Sequence, residues 1–252
     1  MSKYCYYFKF ILFVTGQGEK EHLPKMFSSL SQSGICTFKV CEFVGQRRPI
    51  TSPDRKVRMI RTGKKIPDKD LQKIGFPARK YIDEDRCNRV ILIDDLEEDS
   101  KNEADEKFSR YRDAFDLALN DKKGRASVHF LVNMLEAYFF ADPDALNKAL
   151  KLEPPVDKYD GDVETIRHPK NRLKKIFSDY RETEHPGLIL DSLNLDIVLE
   201  NPQYCSSLRT CIKWIVDQLK NYPNSQELEA LLEFEERFNL KIGELYRVTS
   251  NQ

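Results

Sequence analysis

The chain has no net charge, 41 lysines and arginines balancing 41 aspartates and glutamates. It therefore projects no long-range field of either sign, and any charged partner must be met by a local patch. It has no CxxC pair and no cysteine spacing that suits a zinc site, which excludes a zinc-held scaffold. Its six cysteines are expected to be reduced, mostly buried thiols in a cytoplasmic protein. No apolar run is long enough to cross a bilayer. Phe10 to Val14 is too short and reads as a strand rather than a signal, so no membrane role is expected. Internal repeats and low-complexity tracts are lacking. So are the signatures HExxH and GxSxG. Gly16-Gln17-Gly18 lacks both the third glycine of a dinucleotide fingerprint and the GKS or GKT of a phosphate loop, which argues against nucleotide binding at that turn.

What is present is a chain of 252 residues, 40% hydrophobic and 33% charged, long enough to bury a large core without disulfide or metal. Phe8 to Thr15 reads as a strand, Glu19 to Leu30 as a helix with Leu23, Met26, Phe27 and Leu30 on one face, and Ile35 to Val44 as a second strand. Together they begin a βαβ unit. Pro67 to Ile82 reads as a helix interrupted near Gly75, Arg89 to Asp95 as a buried strand, Glu103 to Asn120 as an amphipathic helix, and Ala126 to Met134 as a further strand. After Asp142 the pattern is helical: Asp144 to Leu150, Asn171 to Tyr180, Ser206 to Leu219 and Gln226 to Asn239, separated by proline-containing turns. The expectation is an α/β domain over 1–152, mainly a parallel sheet flanked by helices, with a helical extension over 153–252 packed on it.

The most telling stretch is Arg89-Val90-Ile91-Leu92-Ile93-Asp94-Asp95-Leu96-Glu97, an apolar strand ending in acids. Ligands of open α/β sheets bind at the C-terminal ends of strands. Glu19 follows the first strand in the same way. If the two strands are parallel neighbours, these acids meet at one sheet edge, the donor set that Mg²⁺ or Mn²⁺ takes. The bland alternatives are a dipole-favoured acid in a helix first turn for Glu19 and a solvated acidic turn for Asp94 to Asp99. Glu136, in an apolar setting, is a site acid or a core ion-pair partner, while Asp142 before Pro143 reads as a helix cap and His129 as a hydrogen-bonded core residue. Arg47, Arg48, Arg55 and Arg58 fall in a basic segment suited to phosphates or simply to solvation.

Phe13-Val14-Thr15-Gly16-Gln17-Gly18-Glu19, Val90 to Glu97, and Phe130 to Asp142 resemble a bacterial domain-of-unknown-function family with a Toprim-like fold. Its motifs read EGxTE, DxD and a block close to FEAWLLAD. His168-Pro169-Lys170-Asn171-Arg172-Leu173 and Tyr204-Cys205-Ser206-Ser207-Leu208 resemble its later blocks, so the similarity spans most of the chain. The resemblance implies Mg²⁺-dependent phosphodiester chemistry related to OLD-type nucleases, on DNA or RNA, in antiphage defence beside an ABC-type ATPase. It implies Glu19 in proton handling and Asp95, Glu97, Glu136 and secondarily Asp94 at the metal. Thr15 stands where the motif has its first glutamate, and Glu97 lengthens the second acid of DxD. The other reading is a non-catalytic partner subunit of such an ATPase, and a homo-oligomer is compatible with either.

Overall fold

The structure is a computed structural model that describes residues 4–46, 57–59, 65–97, 102–223 and 225–240. The chain runs β1 (Phe8–Val14), α1 (Gln17–Met26), α2 (Ser28–Ser31), β2 (Cys36–Phe43), β3 (Val57–Met59), β4 (Lys65–Pro67), α3 (Asp68–Asp70), a π-helical turn (Leu71–Gly75) and α4 (Phe76–Glu84). It continues through β5 (Asn88–Leu96), α5 (Ala104–Leu119), β6 (Ala126–Val132), a 3-10 segment (Leu135–Ala141), α6 (Pro143–Leu150), a 3-10 turn (Val163–Thr165), α7 (Pro169–Ile176), α8 (His185–Leu190), α9 (Leu195–Val198), α10 (Ser206–Leu219) and α11 (Ser225–Arg237).

The main sheet has the order β2-β1-β5-β6, and all three pairings are parallel. The expected α/β class with a parallel sheet flanked by helices is what the chain forms. Parallel strands covered on both faces must be apolar on both, and β5 and β6 are buried at every position. Alternation divides them. Phe8, Phe10, Leu12, Val14, Ile91, Ile93 and Leu131 join a cluster that continues into α1, α6, α8 and α10. Ile11, Phe13, Val90, Leu92, Val128 and Phe130 pack with α4 and α5 on the other face. The first cluster runs without a break from the sheet into the residues after 153, through Trp214, Ile215 and Leu208.

Several local departures have plain causes. The single helix expected from Glu19 to Leu30 is two pieces, α1 and α2, divided at Phe27, whose φ of -101° and ψ of 18° leave the helical region, while Pro24 is accommodated inside α1. The interruption near Gly75 is the π-helical turn. A Cβ on Gly75 would lie 2.7 Å from the Ala114 carbonyl oxygen and 3.0 Å from the Ala118 Cβ, so the turn presses its backbone directly onto α5. Beside it Arg110 Nε donates to Asp70 Oδ2 at 2.6 Å in a buried ion pair. Helices α8 and α9 were not expected; at six and four residues they are too short to show a helical period.

Cys5 and Cys87 form a disulfide across 82 residues with a Cα–Cα distance of 5.5 Å, contrary to the expectation of six free thiols. Each precedes one of two adjacent parallel strands, and Lys9 pairs with Asn88 in register. The sheet thus brings together two cysteines that have no sequence spacing to announce them. Cys36, Cys41, Cys205 and Cys211 are free. Among the described residues no helix is long and apolar enough to cross a membrane.

Replacing Gly75 with alanine is expected to lower stability by about 1–3 kcal/mol in a denaturant titration. The added methyl overpacks against a backbone carbonyl that cannot retreat, which outweighs the roughly 1 kcal/mol a helix gains from alanine over glycine. A neutral or stabilising result would mean that α5 yields at Ala114.

Candidate functional site

From β1 the chain crosses to β2 on one side and later returns to β5 on the other. The crevice between the C-terminal ends of β1 and β5 is therefore the topological switch point, where open α/β sheets bind ligands. Thr15, Gly16 and Glu19 follow β1 there, and Asp94 and Asp95 end β5.

Adjacent strand residues point to opposite faces, and the two aspartates separate accordingly. Asp94 turns toward α5, where its Oδ2 accepts from the Tyr111 hydroxyl at 2.8 Å and its Oδ1 from the Thr15 hydroxyl. Both of its oxygens are hydrogen-bonded, so it ties β1, β5 and α5 together. Thr15, which departs from the EGxTE pattern, has a defined task here as a donor to Asp94. Asp95 turns toward the helical side and meets Glu19, Glu136 and Lys170.

Each member of that group is placed by local backbone chemistry. Glu19 lies in the first turn of α1 and folds back over Gly16. A Cβ at Gly16 would stand 1.8 Å from its Oε2, so only glycine leaves room for this carboxylate. Glu136 is carried by the 3-10 segment after β6. The chain enters it through Asn133 and Met134 at φ of 56° and 74°, left-handed values that cost a non-glycine residue about 1–3 kcal/mol. The turn is held by Asn133 N donating to Leu96 O at 2.9 Å and its Nδ2 to Glu164 O at 2.8 Å. Lys170 follows Pro169 at the start of α7. Its Nζ is 3.7 Å from Glu136 Oε1 and 3.4 Å from Glu182 Oε2.

Glu19, Asp95 and Glu136 are each more than nine-tenths buried. Glu19 Oε2, Asp95 Oδ1 and Glu136 Oε2 have no hydrogen-bond partner. Burial raises all three carboxyls. Asp95 is held well above the usual carboxylate range by burial and then by Glu19, Glu136 and Asp94, with Lys170 opposing. Glu19 is raised by burial, with its own backbone, Lys170 and Asp95 opposing. Glu136 is pushed up to about 7, burial outweighing the pull of Lys170. Lys170 loses from burial but gains more from Glu136, Glu182, Asp95 and Glu19, so its ammonium is held above its ordinary value. The Tyr180 phenol, also buried, is pushed up by burial and by Glu136 and Glu182. Among the described residues no three histidine, cysteine, aspartate or glutamate side chains form a ready metal-ligand group. The acids are gathered but not closed around one point.

A model of a domain of unknown function, DUF4276, matches residues 14–213. The chain belongs to the DUF4276 family. The matched span contains every member of the carboxylate group and Lys170. Two solved structures of the C-terminal region of the Xanthomonas campestris pv. campestris OLD protein, phased with mercury and with platinum, are similar to this DUF4276 chain at 10% and 11% identity. Their TM-scores are 0.37 and 0.38, over 90% and 91% of this chain and 97% and 96% of theirs. No curated protein matches the sequence.

The other sequence candidates fall elsewhere. Glu97 is exposed just past the end of β5, where strand alternation no longer dictates its direction. Arg47, Arg48 and Arg55 lie outside the described residues, and Arg58 is placed only as part of β3. Asp142 caps α6, accepting from Ala145 N at 3.1 Å and from Asn194 N at 2.8 Å. His129 is buried against Ser127 Oγ at 3.0 Å, and burial pulls its pKa down to about 3. Sequence reasoning missed Lys170 as the basic partner of Glu136. The chain separates them by more than thirty positions, and the available signal was a lysine directly after a proline at a helix start. It also missed Glu164, a buried acid that accepts from the Tyr138 hydroxyl at 2.7 Å and from Ser207 N at the first turn of α10 at 3.1 Å.

The pH dependence follows from Glu136. Its carboxyl moves from 4.5 to about 7 on folding, so between those values the folded chain binds more protons than the unfolded one, and stability falls as pH rises. The difference is on the order of 3 kcal/mol. With divalent cations chelated, the wild type is expected to lose that much between pH 4.5 and 7.5 relative to Glu136→Gln. The comparison cancels the opposite trend from His129. Parallel pH profiles for the two proteins would show that Glu136 is ionised throughout.

Proposed function

We propose that this DUF4276 chain is a Toprim-like, divalent-cation-dependent enzyme that cleaves phosphodiester bonds in nucleic acid, with Asp95, Glu19 and Glu136 as the carboxylate donors. One observation carries the reading: three buried carboxylates, each with an oxygen that has no hydrogen-bond partner, are gathered at the switch point of a parallel sheet. Desolvated carboxylates repel one another unless a proton or a cation lies between them. Oxygen-only donors of this kind suit Mg²⁺ or Mn²⁺, so the residues present fit the ion. When bound there, the ion would neutralise phosphoryl charge and lower the pKa of a water.

The chain's own groups have separable tasks. Glu19 and Asp95, both raised by burial, give up protons when a cation binds. Glu136, pushed up to about 7 in the cation-free chain, likewise gives up its proton when the ion binds beside it. Lys170 brings a fixed positive charge to the mouth of the group, suited to the oxygens of a phosphodiester. Asp94, satisfied by Thr15 and Tyr111, is a positioning residue that fixes the end of β5 beside β1.

A second reading is favoured by Lys170 itself. An ammonium already among the carboxylates offsets part of their charge, as it would in a non-catalytic subunit docked on an ABC-type ATPase.

Thermal denaturation with Mn²⁺ separates the two. At a concentration about a hundredfold above the dissociation constant, a bound ion adds about 2.7 kcal/mol. The wild type is expected to show a saturable rise in melting temperature that Asp95→Asn and Glu136→Gln abolish and Glu97→Gln retains. Nuclease turnover should fall at least about a hundredfold in the same two variants, the scale on which loss of one charge-stabilising group is felt. Absence of a Mn²⁺ shift in the wild type would leave the docking-subunit reading standing.

A further inference from the structure

At the opposite edge of the main sheet, where β1 and β5 begin, lies a cavity of about 490 Å³ whose wall includes Arg86, Arg89, Arg125, Tyr4 and Tyr222. It is roughly 20 Å from the carboxylate group, the length of six strand residues from Arg89 to Asp95. Its volume falls in the range of small-molecule sites, about 300–1,000 Å³.

Its charge is unusual for a pocket between packed elements. Arg89 is only 6% exposed, yet its guanidinium is held by neutral groups: Nε donates to Gln218 Oε1 at 2.6 Å, and Nη1 to Arg86 O at 2.9 Å and Asn88 O at 3.0 Å. Arg125 Nη2 likewise donates to Asp85 O and, at 3.0 Å, to Asn88 O. Neither Arg89 nor Arg125 forms an ion pair among the described residues. Burial, and then Arg125 and Arg86, pull the Arg89 pKa down to about 10. The nearest carboxylate in this balance, Asp85, accepts from Cys87 N at 2.8 Å. Lys220 on the rim is committed to Asp217 and Glu235 at 2.9 and 2.7 Å. The end of α10 adds a partial negative charge of about one half, less than one guanidinium contributes. Asp85 and Asp83 offset part of the charge on Arg125, but a buried Arg89 held only by neutral acceptors, with Arg86 and Arg125 beside it, is an arrangement that an anion with several oxygens completes.

The aromatic side chains narrow the class. Tyr4 is 54% exposed, and it stands beside the Cys5–Cys87 disulfide, which fastens its segment to the arginine-bearing loop. We infer that this cavity binds a phosphorylated small molecule of the nucleotide class, its phosphates on Arg86, Arg89 and Arg125 and its base against Tyr4 and Tyr222. The site is separate from the carboxylate group and does not depend on the reading given to that group.

The test is calorimetric titration of the full chain with ADP and with pyrophosphate, in EDTA and about 0.15 M salt, where exposed charges are screened. ADP is expected to bind saturably at one site, at least about fivefold tighter than pyrophosphate, the scale of one base–aromatic stack. Arg86→Gln and Arg125→Gln should each weaken ADP about tenfold, as loss of a charge-assisted hydrogen bond does. Arg86 is exposed, so its replacement leaves the core intact, and an unchanged melting temperature verifies this. Asp95→Asn should bind ADP like the wild type, which separates this site from the carboxylate one. No saturable binding of ADP, or equal binding by both arginine variants, would overturn the site. Pyrophosphate binding as tightly as ADP would overturn the nucleotide class.

Discussion

Four carboxylates buried at one end of two adjacent strands cannot all be ionised without compensation, and much of the surrounding architecture answers that demand. Asp94 is answered inside the sheet by two hydroxyl donors. Asp95, Glu19 and Glu136 are answered only in part, by Lys170 reaching in from a helix more than thirty positions further along the chain. Desolvation of an unpaired carboxylate costs several kcal/mol, so the fold holds a deficit at this edge. It tolerates that deficit because one continuous apolar cluster, from Phe8 to Leu219 and beyond, presses the helical half against the sheet.

That dependence explains why the helical half belongs to the site. Glu136, Lys170, Tyr180 and Glu182 all lie after the last strand of the main sheet, and together they form the wall opposite Asp95. A strand tip alone would leave its acids in water at ordinary pKa values. The 3-10 segment and α7 cover them, so that an acidic edge becomes buried.

How far the sequence disclosed this differs residue by residue. The apolar run ending at Asp95 and the acid after Gly18 were legible because strand period and the rule for sheet edges are both local patterns. The Asp142 cap and the Ser206 to Leu219 helix were legible for the same reason. The difference in task between Asp94 and Asp95 was only half visible: parity separates their faces, but Tyr111 arrives from a helix whose register no local pattern fixes. Lys170, the Cys5–Cys87 bridge and the arginine cavity depend on which strand lies beside which, and that is settled by packing of the whole chain. Glu97, taken from the resemblance to DxD, lies one residue past the end of β5, where strand parity no longer fixes its direction relative to Asp95.

The empty space above Gly16 couples two positions of the chain. The absent methyl is the volume that the Glu19 carboxylate occupies, so the glycine is constrained by an acid three residues later rather than by its own backbone. In a related sequence with a larger residue at this position, the acid of the first helical turn must be shortened, turned outward or supplied from another element. Glycine and glutamate are therefore sterically coupled, and a substitution at either is interpretable only when the other is known.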